Sequence, residues 1–231
     1  LDQVITKFET GQATEHSYRA PLERLFESIS DDLTIINEPK RSDAGMPDFI
    51  FQRKDVPVGW VEAKDINKDV IALKGYSKEQ RKRYEAAFPN LIYTNGVDFE
   101  FIREGVQVHF VSIADFVMGL QPKPENFDTL ERQLRLFAEA KPISIRSAAK
   151  LADMMAAKAA IIKDEIDLAL IGDPDFRSGL GGQFKSFQQN LLPNLTPGEF
   201  ADIYAETITY GMFAARFHDD TLDTFSRQEA L

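Results

Sequence analysis

The stretches Gly45-Met46-Pro47-Asp48-Phe49-Ile50-Phe51 and Gly59-Trp60-Val61-Glu62-Ala63-Lys64 decide how this chain folds and what it can do. Both read as apolar β-type runs, yet each carries charge that such a run would normally exclude. Side chains alternate along a strand, so Trp60, Glu62 and Lys64 share one face and Gly59, Val61 and Ala63 the other. Glu62 and Lys64 are therefore neighbours, about 7 Å apart along the strand. Asp48 opens the preceding run, with Phe49 and Phe51 pointing to the opposite side from it. Where two such strands adjoin, two carboxylates and one ammonium converge. That grouping suits a divalent cation and an activated water.

Around this centre, the segment up to about residue 118 mixes helix and strand signals. Thr14 is a helix N-cap, followed by Tyr18, Leu22, Leu25, Phe26 and Ile29 at helical spacing. Short β-rich runs cover Leu33 to Asn37, Met46 to Phe51 and Val58 to Lys64. A helix opens at Ser77, with Gln80 three residues on in a capping-box pattern. Further strands are expected over Asn90 to Thr94, Val97 to Arg103 and Val106 to Val111. Asn95-Gly96 is a strong hairpin signal and Glu104-Gly105 a weaker one. From Gln121-Pro122-Lys123-Pro124 onward strand signals stop. Helices are expected at about 128–139, 146–169, 182–191 and 196–217, with the Ala-rich run Ala148 to Ala160 high in helix propensity. The expected architecture is α/β: a mixed sheet flanked by helices over 1–120, followed by an all-helical segment over 121–231.

At 231 residues, 43% apolar, with 18 phenylalanines, the chain is long and apolar enough for a packed domain and is not a disordered one. It has no cysteine, which excludes disulfides and thiolate metal sites and points to a cytoplasmic protein. No run reaches the length of a membrane span, and no signal-peptide pattern appears. A first residue of Leu rather than Met points to a processed chain or a fragment. The net charge of −10 works against non-specific affinity for nucleic acid. Even so, Lys74, Lys78, Arg81, Lys82 and Arg83 face a single acid, Glu79, between residues 74 and 83, so one local basic stripe exists.

Hydrolysis of a phosphodiester fits the central group. Oxygen ligands from Asp48 and Glu62 suit Mg²⁺, with the Ala63 carbonyl as a further ligand. The metal and Lys64 can aim a water and stabilise developing negative charge. Taken alone, Glu62-Ala63-Lys64 is the kind of strand pattern that usually forms a surface ion pair; its pairing with Pro47-Asp48 inside apolar runs raises the case. Glu15 lies on the apolar stripe of the first helix and is the favoured third acid. Its plainer roles are an N-terminal acid favoured by the helix dipole, or an ion pair with Arg19. Glu23 falls on the polar flank and is the alternative. Gln80 and Tyr84, one turn apart, either face the cleft or serve as cap partner and core residue. Both readings stay open.

These residues resemble the PD-(D/E)xK nucleases, with Pro47-Asp48 and Glu62-Ala63-Lys64 as the two motif halves. Gln80-Arg81-Lys82-Arg83-Tyr84 is similar to the Q-x-x-x-Y element of some branches. Thr14 to Arg19, Asn37 to Arg41, Gly59 to Asp65 and Phe200 to Arg216 resemble the amino-terminal nuclease and helical connector of fused restriction–modification enzymes of type IIG or type ISP. The resemblance implies a restriction-endonuclease-like sheet and a site-specific deoxyribonuclease activity that depends on Mg²⁺, with Mn²⁺ as substitute. It implies double-stranded DNA as substrate, catalysis by Asp48, Glu62, Lys64 and Glu15, and DNA contact or support from Gln80, Tyr84, Lys78, Arg81, Lys82 and Arg83. Its implied partners are methyltransferase and target-recognition domains in a longer parent chain, and a second copy met transiently to cut both strands. No Asn-Pro-Pro-Tyr motif and no Walker A loop occur, so methylation and sequence recognition are not expected of these residues.

Other polar residues have plainer roles. His16 reads as a helix-end residue, His109 as a packed strand residue, His218-Asp219-Asp220 as a loop after a helix, and Ser178 to Gly182 as a helix connector. No nucleophile elbow supports Ser/His/Asp hydrolysis. Two alternatives remain: a catalytically silent DNA-binding or docking module of the same fold, and a purely structural connector.

Overall fold

The computed structural model describes residues 1–12, 15–37, 47–54, 56–73, 76–117, 119–141, 145 and 147–218; the side chains of Glu15, Tyr76 and Ser77 lie outside that description. The chain divides into two compact units, one reaching Ser144 and the other beginning, within the described residues, at Ile145.

The first unit is a mixed α/β layer structure. Two helices, α1 (Asp2–Glu9) and α2 (Glu15–Glu27), precede the strands β1 (Thr34–Asn37), β2 (Phe49–Arg53) and β3 (Val56–Ala63). Helix α3 (Tyr76–Ala87) then crosses to β4 (Asn90–Thr94), and β5 (Asp98–Arg103) and β6 (Val106–Ser112) complete a six-stranded sheet in sequential order. Every pairing is antiparallel except β3 with β4, which α3 connects as a parallel crossover. A small hairpin, β7 (Ala114–Phe116) and β8 (Leu120–Pro122), leads into α4 (Phe127–Ala138).

Alternation along the strands assigns the two faces. Phe49, Phe51, Val61, Ile92 and Phe101 point into the main core, where Tyr18, Leu22 and Phe26 of α2 and Leu134 and Phe137 of α4 cover them. The Phe26 ring meets Phe49 at 5.3 Å, and Phe51 meets Phe137 at 5.2 Å. Each such ring contributes about 1.5–3 kcal/mol by leaving water. On the other face Trp60 packs on Phe88 at 5.0 Å, and Tyr84 of α3 packs on Phe88 at 5.4 Å.

The turns follow from their residues. Asn95 Oδ1 accepts from the N–H groups of Val97 and Asp98, and Gly96 takes φ 91°, which closes β4 onto β5. Glu104 and Gly105 both have positive φ, the requirement of a type I′ turn, so the weaker hairpin signal was sufficient.

Two expectations need correction. The sheet-bearing unit does not end at 120: Leu130, Leu134, Phe137 and Ala138 of α4 lie in the same core as Phe51. The prolines around 122–124 stop strand pairing, but the apolar stripe that follows returns to cover the sheet. Helix α3 also begins at Tyr76, one residue ahead of the expected opening at Ser77, whose side chain lies outside the description.

The second unit is helical over the described residues: α5 (Ala148–Ile171), α6 (Gly179–Asn190) and α7 (Pro197–His218). Its core gathers Ile166, Leu170, Phe184, Leu195, Phe200, Ala201 and Ala205. Thr196 and Glu199 form a reciprocal capping box at the start of α7. Ser178 caps α6 through the Gly181 N–H, and a Cβ on Gly181 would lie 2.6 Å from Asp173 Oδ2 and from Phe176 Cα. Gly181 is therefore a packing requirement, and the helix begins at 179 instead of 182.

At Gly59 a ring of α4 lies directly against the sheet backbone. A Cβ there would lie 2.4 Å from Phe137 Cζ, while Asn90 Nδ2 ties the Val58 and Phe137 carbonyls together at 2.7 and 3.0 Å. Gly59→Ala is expected to destabilise the protein by about 1–3 kcal/mol through overpacking. Urea unfolding measures it, and adding Phe137→Leu should restore part of the loss.

Candidate active site

The β2–β3 register brings the two acids together. Phe49 pairs with Val61, and continuing by one pair sets Asp48, just ahead of β2, opposite Glu62. Asp48 Oδ2 accepts the Ala63 N–H at 2.7 Å. Opposite residues in a ladder present N–H and C=O to the same side, so the Ala63 carbonyl points along that edge too. The next residue across from it is Pro47, which has no N–H to give.

The other Asp48 oxygen, Oδ1, is held by the Arg19 guanidinium from α2. Burial pushes the Asp48 pKa above its ordinary value, and the charges of Arg19, Lys64 and His16, with the Ala63 N–H, only partly pull it back. Asp48 is thus a dehydrated acid whose protein partners undercompensate it.

Glu62, buried, and Lys64 lie on one strand face as alternation requires. Lys64 continues the strand by donating its N–H to the Thr94 carbonyl at 2.7 Å. Its ammonium donates to Glu62 Oε1 at 2.5 Å and to Gln80 Oε1 at 3.1 Å. Gln80 Nε2 in turn donates to the Tyr84 hydroxyl at 3.3 Å. Gln80 and Tyr84 thus form a chain of hydrogen bonds that ends at the ammonium, and Tyr84 is also a core residue. Tyr93 pairs with Glu62 across β3 and β4. Its hydroxyl is buried without a hydrogen-bond partner, and burial, then the Glu62 charge, push its pKa up.

The basic segment does not form one stripe. Arg81 faces the sheet, where it forks onto both oxygens of the fully buried Glu100 at 2.7 and 2.8 Å and onto Glu85 at 2.6 Å. It also donates to the Val70 carbonyl at 2.8 Å and lies over the Tyr93 ring. Burial would lower its pKa, but the hydrogen bonds it donates to Glu100 and Glu85 outweigh that and raise it. Arg81 thus anchors α3 to the sheet. Lys78 and Lys82 are exposed, with Lys82 3.2 Å from Glu79, and Arg83 is half-buried. Lys74 lies outside the described residues.

Glu15 occupies the first turn of α2, one turn before Arg19, but its side chain lies outside the description. Glu23 accepts from Asn37 Nδ2 at 3.0 Å and so holds β1. Arg19 is the site residue that sequence reasoning missed; its spacing of four from Glu15 suggested only a local ion pair. Among the plainer residues, Trp60 packs over the sheet on Phe88, His109 sits on the edge strand 6.4 Å from Phe101, and His218 ends α7, with Asp219 and Asp220 outside the described residues.

Asp48, Glu62 and the Ala63 carbonyl are hard oxygen donors, a set that fits Mg²⁺, which is commonly held by one or two carboxylates with water and phosphate completing its shell. Among the described residues no group of three or more His, Cys, Asp or Glu gathers, so a closed all-protein cage is not formed by them.

No family model and no curated protein matches the chain. Among solved structures it is similar to a chain in the cryo-EM structure of a DrdV–DNA complex, at 20% identity and a TM-score of 0.43. That match covers 91% of this chain but only 20% of the other, so the chain spans a small part of its length. A likeness of that size carries no functional argument, and the site has to be read from its own chemistry. Among the described residues no helix is long and apolar enough to cross a membrane.

Removing Glu100 would strand the buried Arg81 charge. Glu100→Ala is expected to cost about 3–5 kcal/mol in urea unfolding, whereas Lys82→Ala, at an exposed pair, should cost less than about 0.5 kcal/mol.

Proposed function

We propose that this chain is the nuclease part of a PD-(D/E)xK-type enzyme that hydrolyses DNA phosphodiester bonds with Mg²⁺, Mn²⁺ serving as substitute. The observation that carries the reading is the pairing of Asp48 with Glu62 across two strands, with the Lys64 ammonium hydrogen-bonded between Glu62 and Gln80. Asp48, Glu62 and the Ala63 carbonyl would hold the cation. Bound there, magnesium supplies a Lewis acid for the phosphate and lowers the pKa of a water.

The rest is done by side chains of this chain. Lys64 keeps its proton at Nζ and donates to the water and to the phosphoryl oxygen, so that attack proceeds along one line while charge builds. Gln80 and Tyr84 fix the direction of that ammonium. A water oxygen bonds to phosphorus as it gives up a proton to solvent, the bond to the leaving oxygen breaks, and that oxygen takes up a proton from solvent. Lys78, Lys82 and Arg83 would meet backbone phosphates, contacts that set register without reading sequence. Glu15 would assist from the first turn of α2. Methyltransferase and target-recognition domains in a longer parent, cytoplasmic placement, and a second copy for cutting both strands belong to the same proposal.

One observation favours a second reading. Arg19 and Lys64 already neutralise both acids, as they would in a catalytically silent DNA-binding or docking module. Calorimetric titration separates the two. The enzyme binds Mg²⁺ and loses that binding in Asp48→Ala, whereas the silent module binds none.

The direct test is plasmid nicking. The chain should nick weakly and without sequence preference in Mg²⁺, and Asp48→Ala and Lys64→Ala should each lower the rate by about 100-fold or more. Variants as fast as the parent would refute the assignment.

Asp48 must be ionised to hold the cation, and its pKa is raised above the usual 3.8. As pH falls, protons therefore displace Mg²⁺ sooner than an ordinary aspartate would allow. Mg²⁺ affinity followed by calorimetry should begin to weaken above that range and recover fully at neutral pH. Affinity flat down to pH about 4 would contradict it.

A further inference from the structure

Tyr93 carries a polar group to which the proposed chemistry gives no task. Its side chain is fully buried on β4, and its hydroxyl meets no hydrogen-bond partner. Phenylalanine would fill the same space without burying an unsatisfied hydroxyl, so packing alone does not call for tyrosine here. The Arg81 guanidinium lies over the ring, 5.1 Å from its centroid, and Arg81 is itself forked onto Glu100. With a central strand beneath it, the hydroxyl stands on a stiff support.

The strand register supplies an acceptor. Tyr93 pairs with Glu62 in the parallel β3–β4 ladder, so both side chains rise from one sheet face, on strands about 5 Å apart. After burial, the Glu62 charge is the largest influence on this hydroxyl, ahead of Tyr84, Arg81 and Glu85. A phenol that keeps its proton bonds most strongly to an ionised acceptor. Glu62 can take that donor and a cation together. A carboxylate offers about four lone-pair sites, of which the Lys64 ammonium uses one at Oε1. The last torsion of a glutamate is broad and roughly two-fold, so its oxygens turn at little cost. An acid left to turn holds a cation loosely, and outer hydrogen bonds are what orient metal-binding carboxylates.

Resting on the nuclease reading, we propose that Tyr93 is a positioning residue for Glu62: its O–H donates to the Glu62 carboxylate when a cation binds and fixes the direction in which that acid meets the metal. Without the cation the hydroxyl stays unsatisfied, so the same group destabilises the resting fold. Stability and metal affinity are thereby set against each other at one atom.

The test reads two quantities that Tyr93→Phe should move in opposite directions. Stability in EDTA is followed by urea unfolding through the fluorescence of Trp60, the single tryptophan, which lies on β3 and so reports the sheet-bearing unit. Mg²⁺ binding is followed by calorimetry without DNA, with Asp48→Ala as the reference for binding at the site. Tyr93→Phe should raise the urea midpoint by about 0.3–0.5 M and weaken Mg²⁺ binding about tenfold. Plasmid nicking should be slower at low Mg²⁺ and return to within about twofold of the parent rate at saturating Mg²⁺, because the residue acts through Glu62. A midpoint that falls, or a variant that does not fold, would show that the hydroxyl has a structural partner, a bound water included, and overturn the proposal. Mg²⁺ binding as tight as in the parent would overturn it too, as would a rate that stays low at saturating Mg²⁺. A parent that binds no Mg²⁺ through Asp48 removes the nuclease reading and the positioning role together. A parent that binds it while Tyr93→Phe binds it equally well removes the positioning role alone.

Discussion

The antiparallel register of β2 on β3 is the constraint from which the site follows. With Phe49 opposite Val61, Asp48 stands opposite Glu62 and its carboxylate reaches the Ala63 N–H. A slip of one residue would send every side chain of β2 to the other face and take Asp48 with it. The polar groups do little to prevent that slip. What prevents it is on the reverse face, where Phe49, Phe51 and Val61 are fully buried against Phe26 and Phe137. Aromatic packing on one side of the sheet thereby sets the geometry of charges on the other. The bulge between Phe51 and Gln52 absorbs irregularity toward the hairpin end, away from the acids.

Helix α3 carries two tasks that its sequence had merged. Its mean hydropathy is low, and few of its residues can hold it by apolar burial alone. Tyr84 and the following Phe88 supply a small apolar contact; Arg81 supplies the rest by forking onto Glu100. A buried ion pair adds little net stability, but it admits very few geometries. Arg81 is next to Gln80, so the pair that fixes the rotation of α3 also fixes where Gln80 meets Lys64. Stability and aim are coupled through adjacent residues.

How much of this could be read from sequence depended on the range of the interaction. The six strands of the main sheet, the hairpins that join β4 to β5 and β5 to β6, and the shared face of Glu62 and Lys64 follow from alternation and turn chemistry, which are local; the β7–β8 hairpin was not expected. The assignment of α4 to the sheet-bearing unit was not legible, because the apolar stripe of Leu130, Leu134 and Phe137 does not say which surface it covers. Arg81 read as a DNA contact because its partner Glu100 is 19 residues away, on β5. Arg19 was missed for the same reason, with Asp48 lying 29 residues on. Charges that meet across elements leave no periodic trace, whereas charges that meet along one element do.

The electrostatic character of the site argues for a task beyond holding the fold. Burial raises the pKa of Asp48 even though a guanidinium, an ammonium and a backbone N–H surround it. Beside it, Tyr93 keeps a buried hydroxyl without a partner next to Glu62, a feature that costs about 1–3 kcal/mol where a phenylalanine would cost nothing. The Arg81–Glu100 pair, a few ångströms further along the same sheet face, is by contrast fully satisfied, as expected of a group that serves structure. Two polar clusters under one helix thus differ in kind. Perturbed acids concentrate at functional sites because stabilising the protein alone would favour replacing or pairing them, and here the perturbed acid, Asp48, lies in the cluster that also holds Glu62 and Lys64.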